Sequence, residues 1–141
     1  MKCMFMLALA LAACTKAGDG DKPAGDKPAG DKPAGGSAAS PRGAVVEAWK
    51  AGKLTPSPLV PATVAFAKDC QSTTIGGIEA LLCSFPSNAE ARSAEDGGLA
   101  WVGSATGASQ ARGAVLVVLA DRKKADPSGR TINQLLKLAP N

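Results

Sequence analysis

From Ser40 onward the hydrophobic positions change period several times, and each change marks an element. Ser40-Pro41-Arg42-Gly43 puts a capping hydroxyl and a first-turn proline ahead of Ala44, Val45, Ala48 and Trp49, which share one helical face before Gly52 stops the helix. Pro56, Pro58 and Pro61 then impose an extended crossing. Thr63 to Cys70 and Ile78 to Phe85 have strand composition, with Gly76-Gly77 as the turn between them. Ser87-Asn88-Ala89-Glu90 fits a capping box and opens a second helix with Ala91, Ala94 and Trp101 on its inner side. Its end is open to two readings: a stop at Gly97-Gly98, or continuation through Leu99 to Val102 toward Gly103, which is the preferred one. Ala114 to Ala120 is short, branched and apolar on both faces, as a strand covered above and below would be. Asp126-Pro127-Ser128-Gly129 has the residues of a type I turn, and Thr131-Ile132-Asn133-Gln134 fits another capping box, ahead of an inner stripe of Ile132, Leu135, Leu136 and Ala139.

The resulting order, helix, strand, strand, helix, strand, helix, predicts an α+β fold: a small mixed β-sheet of about three strands with helices packed on it, the second and third strands joined by a helical crossover. Trp49 and Trp101 are both expected in its core. Pro41–Asn141 has the size of one ordinary domain.

The turn also fixes a pairing. Cys70 lies six residues before Gly76 and Cys83 six after Gly77, so a two-residue turn sets the cysteines opposite each other. Counted outward from Ile75 and Ile78 they occupy a non-hydrogen-bonded site, where alpha carbons lie about 4.5 Å apart and a disulfide fits. A redox or metal pair is the rival reading, but Cys-x-x-Cys spacing is missing and the chain has 0 histidines.

The amino-terminal segment has a different character. Met1 and Lys2 precede an apolar run of 12 residues, Cys3 to Cys14, which is well short of the roughly 20 needed to span a bilayer. It ends in Leu11-Ala12-Ala13-Cys14 and turns polar at Thr15 and Lys16. These residues resemble the lipobox of bacterial lipoproteins. The resemblance implies a signal peptide over residues 1–13, diacylglyceryl transfer to the Cys14 thiol, cleavage before Cys14, and acylation (palmitate or a similar chain) of the new amino group. Thr15 in place of Asp then implies an outer-membrane address facing the periplasm. Two or three acyl chains anchor stably, whereas one binds only marginally.

Residues 14–40 follow as a tether. From Gly20 to Ala34 the unit Gly-Asp-Lys-Pro-Ala occurs three times in succession. It has no large apolar side chain to offset chain entropy, and Pro23, Pro28 and Pro33 interrupt any ladder. A coil of this length reaches on the order of 30 Å, and about 80 Å when stretched. Asp21, Asp26 and Asp31 cancel Lys22, Lys27 and Lys32 locally, which favours a spacer over a polymer-binding segment.

Composition trims the functional classes. The formal net charge is +4, and aromatics make up 4% of the chain, too few to suggest a base-stacking nucleic-acid surface. Without histidine, and with Cys70 and Cys83 paired, the commonest general base and nucleophile are missing. Glu95 and Asp96 are adjacent on a helix and so point apart. The expectation is therefore a non-enzyme with no cofactor and no bound metal. Arg122, Lys123, Lys124 and Arg130 form the basic cluster of the domain and are candidates for contact with an anionic lipid or partner, although Asp121 and Asp126 beside them suit a solvated turn equally. Gly98-Leu99-Ala100-Trp101-Val102-Gly103 and Ala120-Asp121-Arg122-Lys123-Lys124-Ala125-Asp126-Pro127 are similar to segments of uncharacterised lipoproteins of myxobacterial type, a likeness that implies no activity.

These readings lead to an envelope lipoprotein held to the bilayer through Cys14, whose domain binds or positions an envelope protein or cell-wall polymer. Two alternatives stand beside it. A small-molecule or lipid-binding domain needs a pocket of about 300 Å³ or more, and an inhibitor of an exported enzyme would present its rigid hairpin.

Overall fold

The computed structural model describes residues 40–141. The expected signal peptide, the lipidated Cys14 and the repeat tether lie outside them.

Helix α1, Pro41–Ala51, begins where the sequence places it: the Ser40 hydroxyl accepts from the Gly43 amide at 3.0 Å, and Gly52 closes the other end. Gly43, Val45, Val46 and Trp49 are its buried residues, whereas Ala44 faces water. Five strands follow in two groups. β1 (Val60–Val64), β2 (Ala67–Ile75) and β3 (Ile78–Ser84) run in succession; helices α2 (Asn88–Ser93) and α3 (Glu95–Val102) intervene; then come β4 (Thr106–Arg112), β5 (Val115–Asp121) and helix α4 (Arg130–Leu138). The strands form one sheet of order β1-β2-β3-β5-β4 with antiparallel pairing throughout.

The α+β class is thus observed, but the expectation of about three strands in a mixed sheet, ordered α-β-β-α-β-α, is corrected. Two strands were hidden from pattern reading. The expected strand Thr63 to Cys70 is divided by a reversal at Ala65-Phe66 that pairs Val64 with Ala67, and β2 runs on through the polar Gln71-Ser72-Thr73-Thr74 to Ile75. The residues Thr-Gly-Ala-Ser-Gln-Ala-Arg of β4 carry no large apolar side chain, because an edge strand under a close-packed helix has little room for one. With β4 and β5 joined as a hairpin, the chain leaves the helical crossover at the sheet edge and returns beside β3 running antiparallel to it.

Both faces of β5 are covered, which is why it is apolar at every core position. On one face α1 and α4 bury Val45, Trp49, Ile132 and Leu135 against Ile75, Ile78, Leu82, Val117 and Leu119. The Trp49 indole N–H donates to the Leu135 carbonyl at 2.8 Å, fixing the two helices to each other. On the other face α2 and α3 lie over β4 and β5, with Ala94 and Val102 packed on Leu81, Leu116, Val118 and Ala120. The single helix expected from Ser87 is corrected, being divided at Ala94 into α2 and α3, while its preferred end is observed, since α3 runs through Gly97-Gly98 to Val102. Those glycines allow close approach: a Cβ on Gly98 would lie 2.9 Å from Val118 Cγ2 and collide with the Ser109 hydroxyl, and one on Gly97 would lie 2.6 Å from Phe66 Cβ.

The Gly76-Gly77 turn has both residues at positive φ, 57° and 89°, as a two-residue hairpin turn demands. Cys70 pairs with Cys83 in the expected register, their alpha carbons are 4.0 Å apart, and the disulfide is formed.

The expected capping box at Thr131 is not used. Helix α4 starts two residues earlier, with Gly129 in the left-handed region as its cap residue and no side-chain cap of its own. The Asp126 carboxylate serves instead, accepting from the amides of Arg130, Thr131 and Ile132 and from the Ser128 hydroxyl. Burial acts to raise the Asp126 pKa. The Ile132 amide, the Ser128 hydroxyl and the Thr131 and Arg130 amides oppose it and leave the carboxyl below its ordinary range.

Candidate functional site

The helical pair α2–α3 makes its main contacts over the β4–β5 half of its face; on the β1–β2–β3 half Cys70, Leu81 and Cys83 are buried in the same cluster as Val64, Phe66, Phe85 and Trp101, and exposure is confined to the outer strand and the strand ends. Register decides what is displayed there. Cys70 and Cys83 point to this face, and by the two-residue alternation so do Ser72, Thr74, Glu79 and Leu81 on the neighbouring pairs, with Val60 and Ala62 beyond them on β1. Val60, Ala62, Ser72, Thr74, Glu79 and Leu81, together with Trp101, which projects from the last turn of α3, line a cleft of about 520 Å³. Val60 at its rim is 52% exposed, an apolar side chain with little to cover it.

Each wall has an identifiable support. At the sheet edge, Ser57 is strapped to β2: its amide donates to the Thr74 carbonyl at 3.0 Å, its hydroxyl accepts from the Thr74 amide at 2.9 Å, and its carbonyl accepts from the Thr73 hydroxyl at 2.6 Å. The opposite wall is an assembly of three side chains. Arg122 donates through Nε to Glu79 Oε2 at 2.9 Å and through Nη2 to the Trp101 carbonyl at 2.6 Å, and its guanidinium lies 4.6 Å from the centre of the Trp101 ring. An exposed ion pair of this kind contributes at most about 1 kcal/mol. Its effect on the cleft is larger than its energy, because it neutralises Glu79 and holds the indole from one side.

The sheet edges are obstructed as binding surfaces. On β1, Val60 and Ala62 pair with Ser72 and Cys70, so the outward backbone position between them is Pro61, which has no N–H to offer. On β4, the Ala111 amide donates to Glu95 Oε1 at 2.8 Å. Strand addition, the usual way an exposed sheet takes a peptide, is therefore impeded at both sides.

The residues singled out in the sequence are placed as follows. Cys70 and Cys83 form the disulfide, buried beside the cleft floor. Of the basic cluster, Arg122 is engaged by Glu79 and Trp101, whereas Lys123, Lys124 and Arg130 are exposed. Arg122 and Lys124 flank one shallow hollow with Ser104 and Thr106, and Arg130 flanks another with Asn133 and Lys137, so the four do not line a common site. Asp121 is buried and holds the intervening loop, accepting from the amides of Ala125 at 2.8 Å and Asp126 at 2.7 Å. Trp49 is in the core as expected; Trp101 is half-buried, packed against the core cluster of its face as expected, and also lines the cleft. Ser72, Thr74 and Glu79 were missed, because serines and threonines in a strand carry no local mark of function.

Among the described residues, no helix is long and apolar enough to cross a membrane, and no group of three or more acidic, cysteine or histidine side chains is placed to hold a metal ion. The chain matches no family model, no curated protein and no solved structure.

Proposed function

We propose that the chain is a lipid-anchored binding module of the bacterial envelope, non-enzymatic, with Cys14 as the point of attachment and the cleft over β1–β2–β3 as the surface that meets its ligand. The cleft carries this reading. Among the described residues it brings apolar side chains, hydroxyls and an indole together in one hollow; its volume of about 520 Å³ is ordinary for a ligand pocket but is matched by other hollows of the surface, so the mix of side chains carries the reading. It favours a compact ligand, or a short segment of a polymer, over the broad contact that an enzyme inhibitor would make through its hairpin. The lipobox-like residues Leu11 to Cys14 support the anchor, and the repeat tether supports a domain working at a distance from the bilayer.

A photo-crosslinking residue placed at Thr74 or at Thr63, which lines the cleft beside the irregularity of β1, with Asn133 on α4 as the control position, tests the binding surface in intact cells. Adducts from the cleft positions alone are expected; adducts from Asn133 alone, or equally from all three, would place the contact elsewhere. Cys14→Ala is expected to abolish incorporation of labelled palmitate and move the chain out of the membrane fraction, and unchanged labelling would remove the anchor from the account.

A further inference from the structure

We infer that the cleft takes a neutral saccharide unit, with a C–H face of the sugar against Trp101 and its hydroxyls on Ser72 and Thr74. This deepens, and rests on, the reading of the cleft as the ligand site.

Charge narrows the ligand first. Glu79 is the ionisable side chain among the cleft residues, and its carboxylate is already paired with Arg122. A charged ligand would give up hydration and find no free counter-charge in return. A fully apolar ligand fits poorly for the opposite reason. An acyl chain lying in the cleft would cover the hydroxyls of Ser72 and Thr74, and among the described residues these make no hydrogen bond within the protein. Burying them unpartnered costs about 1–3 kcal/mol each.

What remains is a ligand with an apolar face and a rim of groups that both donate and accept hydrogen bonds, which is the chemistry of a sugar ring. The protein offers the complement of each part. Serine and threonine hydroxyls donate and accept, as sugar hydroxyls do. The indole face carries the negative end of the ring quadrupole and attracts polarised C–H groups. Arg122 stacks on the indole but does not itself line the cleft, so the ring is held from behind while another part of its surface is presented to a ligand. Val60 and Ala62 add accessible apolar surface to the cleft, with Leu81 buried in its lining. Thr73 is excluded from the contact, because its hydroxyl is committed to the Ser57 carbonyl.

Isothermal titration tests the inference on the chain from Thr15 to Asn141, which contains every described residue. The probes are an N-acetylglucosamine tetrasaccharide, a glucose tetrasaccharide and dodecanoate. At least one sugar is expected to bind, the first alone if the acetamido group is read and both if the ring suffices. Trp101→Ala should weaken that binding at least tenfold and Thr74→Val about two- to tenfold, the worth of one hydrogen bond, while Asn133→Ala should change it less than twofold. Should Trp101→Ala fail to fold by circular dichroism, Trp101→Phe and Thr74→Val serve in its place, since both keep most of the packing. No binding of either sugar, or binding indifferent to Trp101 and Thr74, overturns the saccharide. If dodecanoate then binds with Trp101 dependence, or the cleft crosslinks persist in cells, the cleft stands as the ligand site and the saccharide inference alone falls; if those fail too, the reading beneath it falls with it.

Discussion

Reducing the Cys70–Cys83 bond perturbs the hairpin that floors the cleft while leaving the amino-acid sequence unchanged. The bridge closes a loop with a sequence separation of 13, and its two half-cystines are buried at 5% and 0% exposure. In the chain-entropy treatment, a loop of that length removes roughly 10 cal/mol/K from the unfolded ensemble, or about 3 kcal/mol at room temperature. With a urea dependence of about 1.5 kcal/mol per molar for a domain of this size, the unfolding midpoint should fall by about 2 M on reduction. Two thiols also need more room than a bond does, and neither site has solvent to expand into, so any native-state effect adds to the loss. The assay is urea unfolding followed by tryptophan fluorescence with and without a phosphine reductant, repeated on the Cys70→Ala/Cys83→Ala double variant, which should be at least as unstable as the reduced chain. A midpoint shift under about 0.5 M in both would refute the reasoning: the Gly76-Gly77 turn would already be holding the unfolded hairpin in register, with nothing left for the bridge to restrict.

Other consequences follow from single contacts. Trp49→Phe removes the hydrogen bond to the Leu135 carbonyl, but that carbonyl also accepts from the Ala139 amide at 3.2 Å and is not orphaned, so the cost should be about 2 kcal/mol, including lost packing, read as a melting point lower by roughly 10 °C. Gly98→Ala puts a methyl group against Val118 and Ser109 and should destabilise by about 1–3 kcal/mol in urea unfolding, although alanine is the better helix former. For Asp126 the folded-state pKa lies below the ordinary value of 3.8, so its contribution to stability is present above that pH and is lost as the pH falls through the folded pKa. Urea midpoints measured from pH 6 down to pH 2 should drop in that acid range, and the drop should shrink in Asp126→Asn, which is less stable than the parent at pH 6.

The elements that could be read from the sequence are those whose signal is local. Ser40 and Pro41 announce α1 because capping involves only neighbouring residues. The pairing of Cys70 with Cys83 follows from a two-residue turn because a strand repeats every second position. β5 was recognisable because burial on both faces admits only apolar side chains. The parts that could not be read depend on distant chain. β4 is small and polar because Gly98 of α3 presses on Ser109, a contact that no window of sequence contains. The break at Ala65-Phe66 carries no glycine, proline or asparagine, and Asp126 caps α4 from beyond the first turn, where a Thr131 capping box had the more familiar spacing. The cleft was the least legible of all. Its residues come from three strands and a helix and become neighbours only through the order β1-β2-β3-β5-β4, so Trp101, judged by itself, showed its core packing and not its place on the cleft.

The account depends on the cleft between β1, the ends of β2 and β3, and Trp101 being where this domain meets its ligand. Amide and indole resonances of the isotopically labelled chain, recorded while solubilised cell-wall glycan fragments are added, test that most directly. Shifts should cluster at Val60, Ser72, Thr74 and the Trp101 side chain. Shifts confined to α1 and α4, or a spectrum that does not move at saturating glycan, would contradict it.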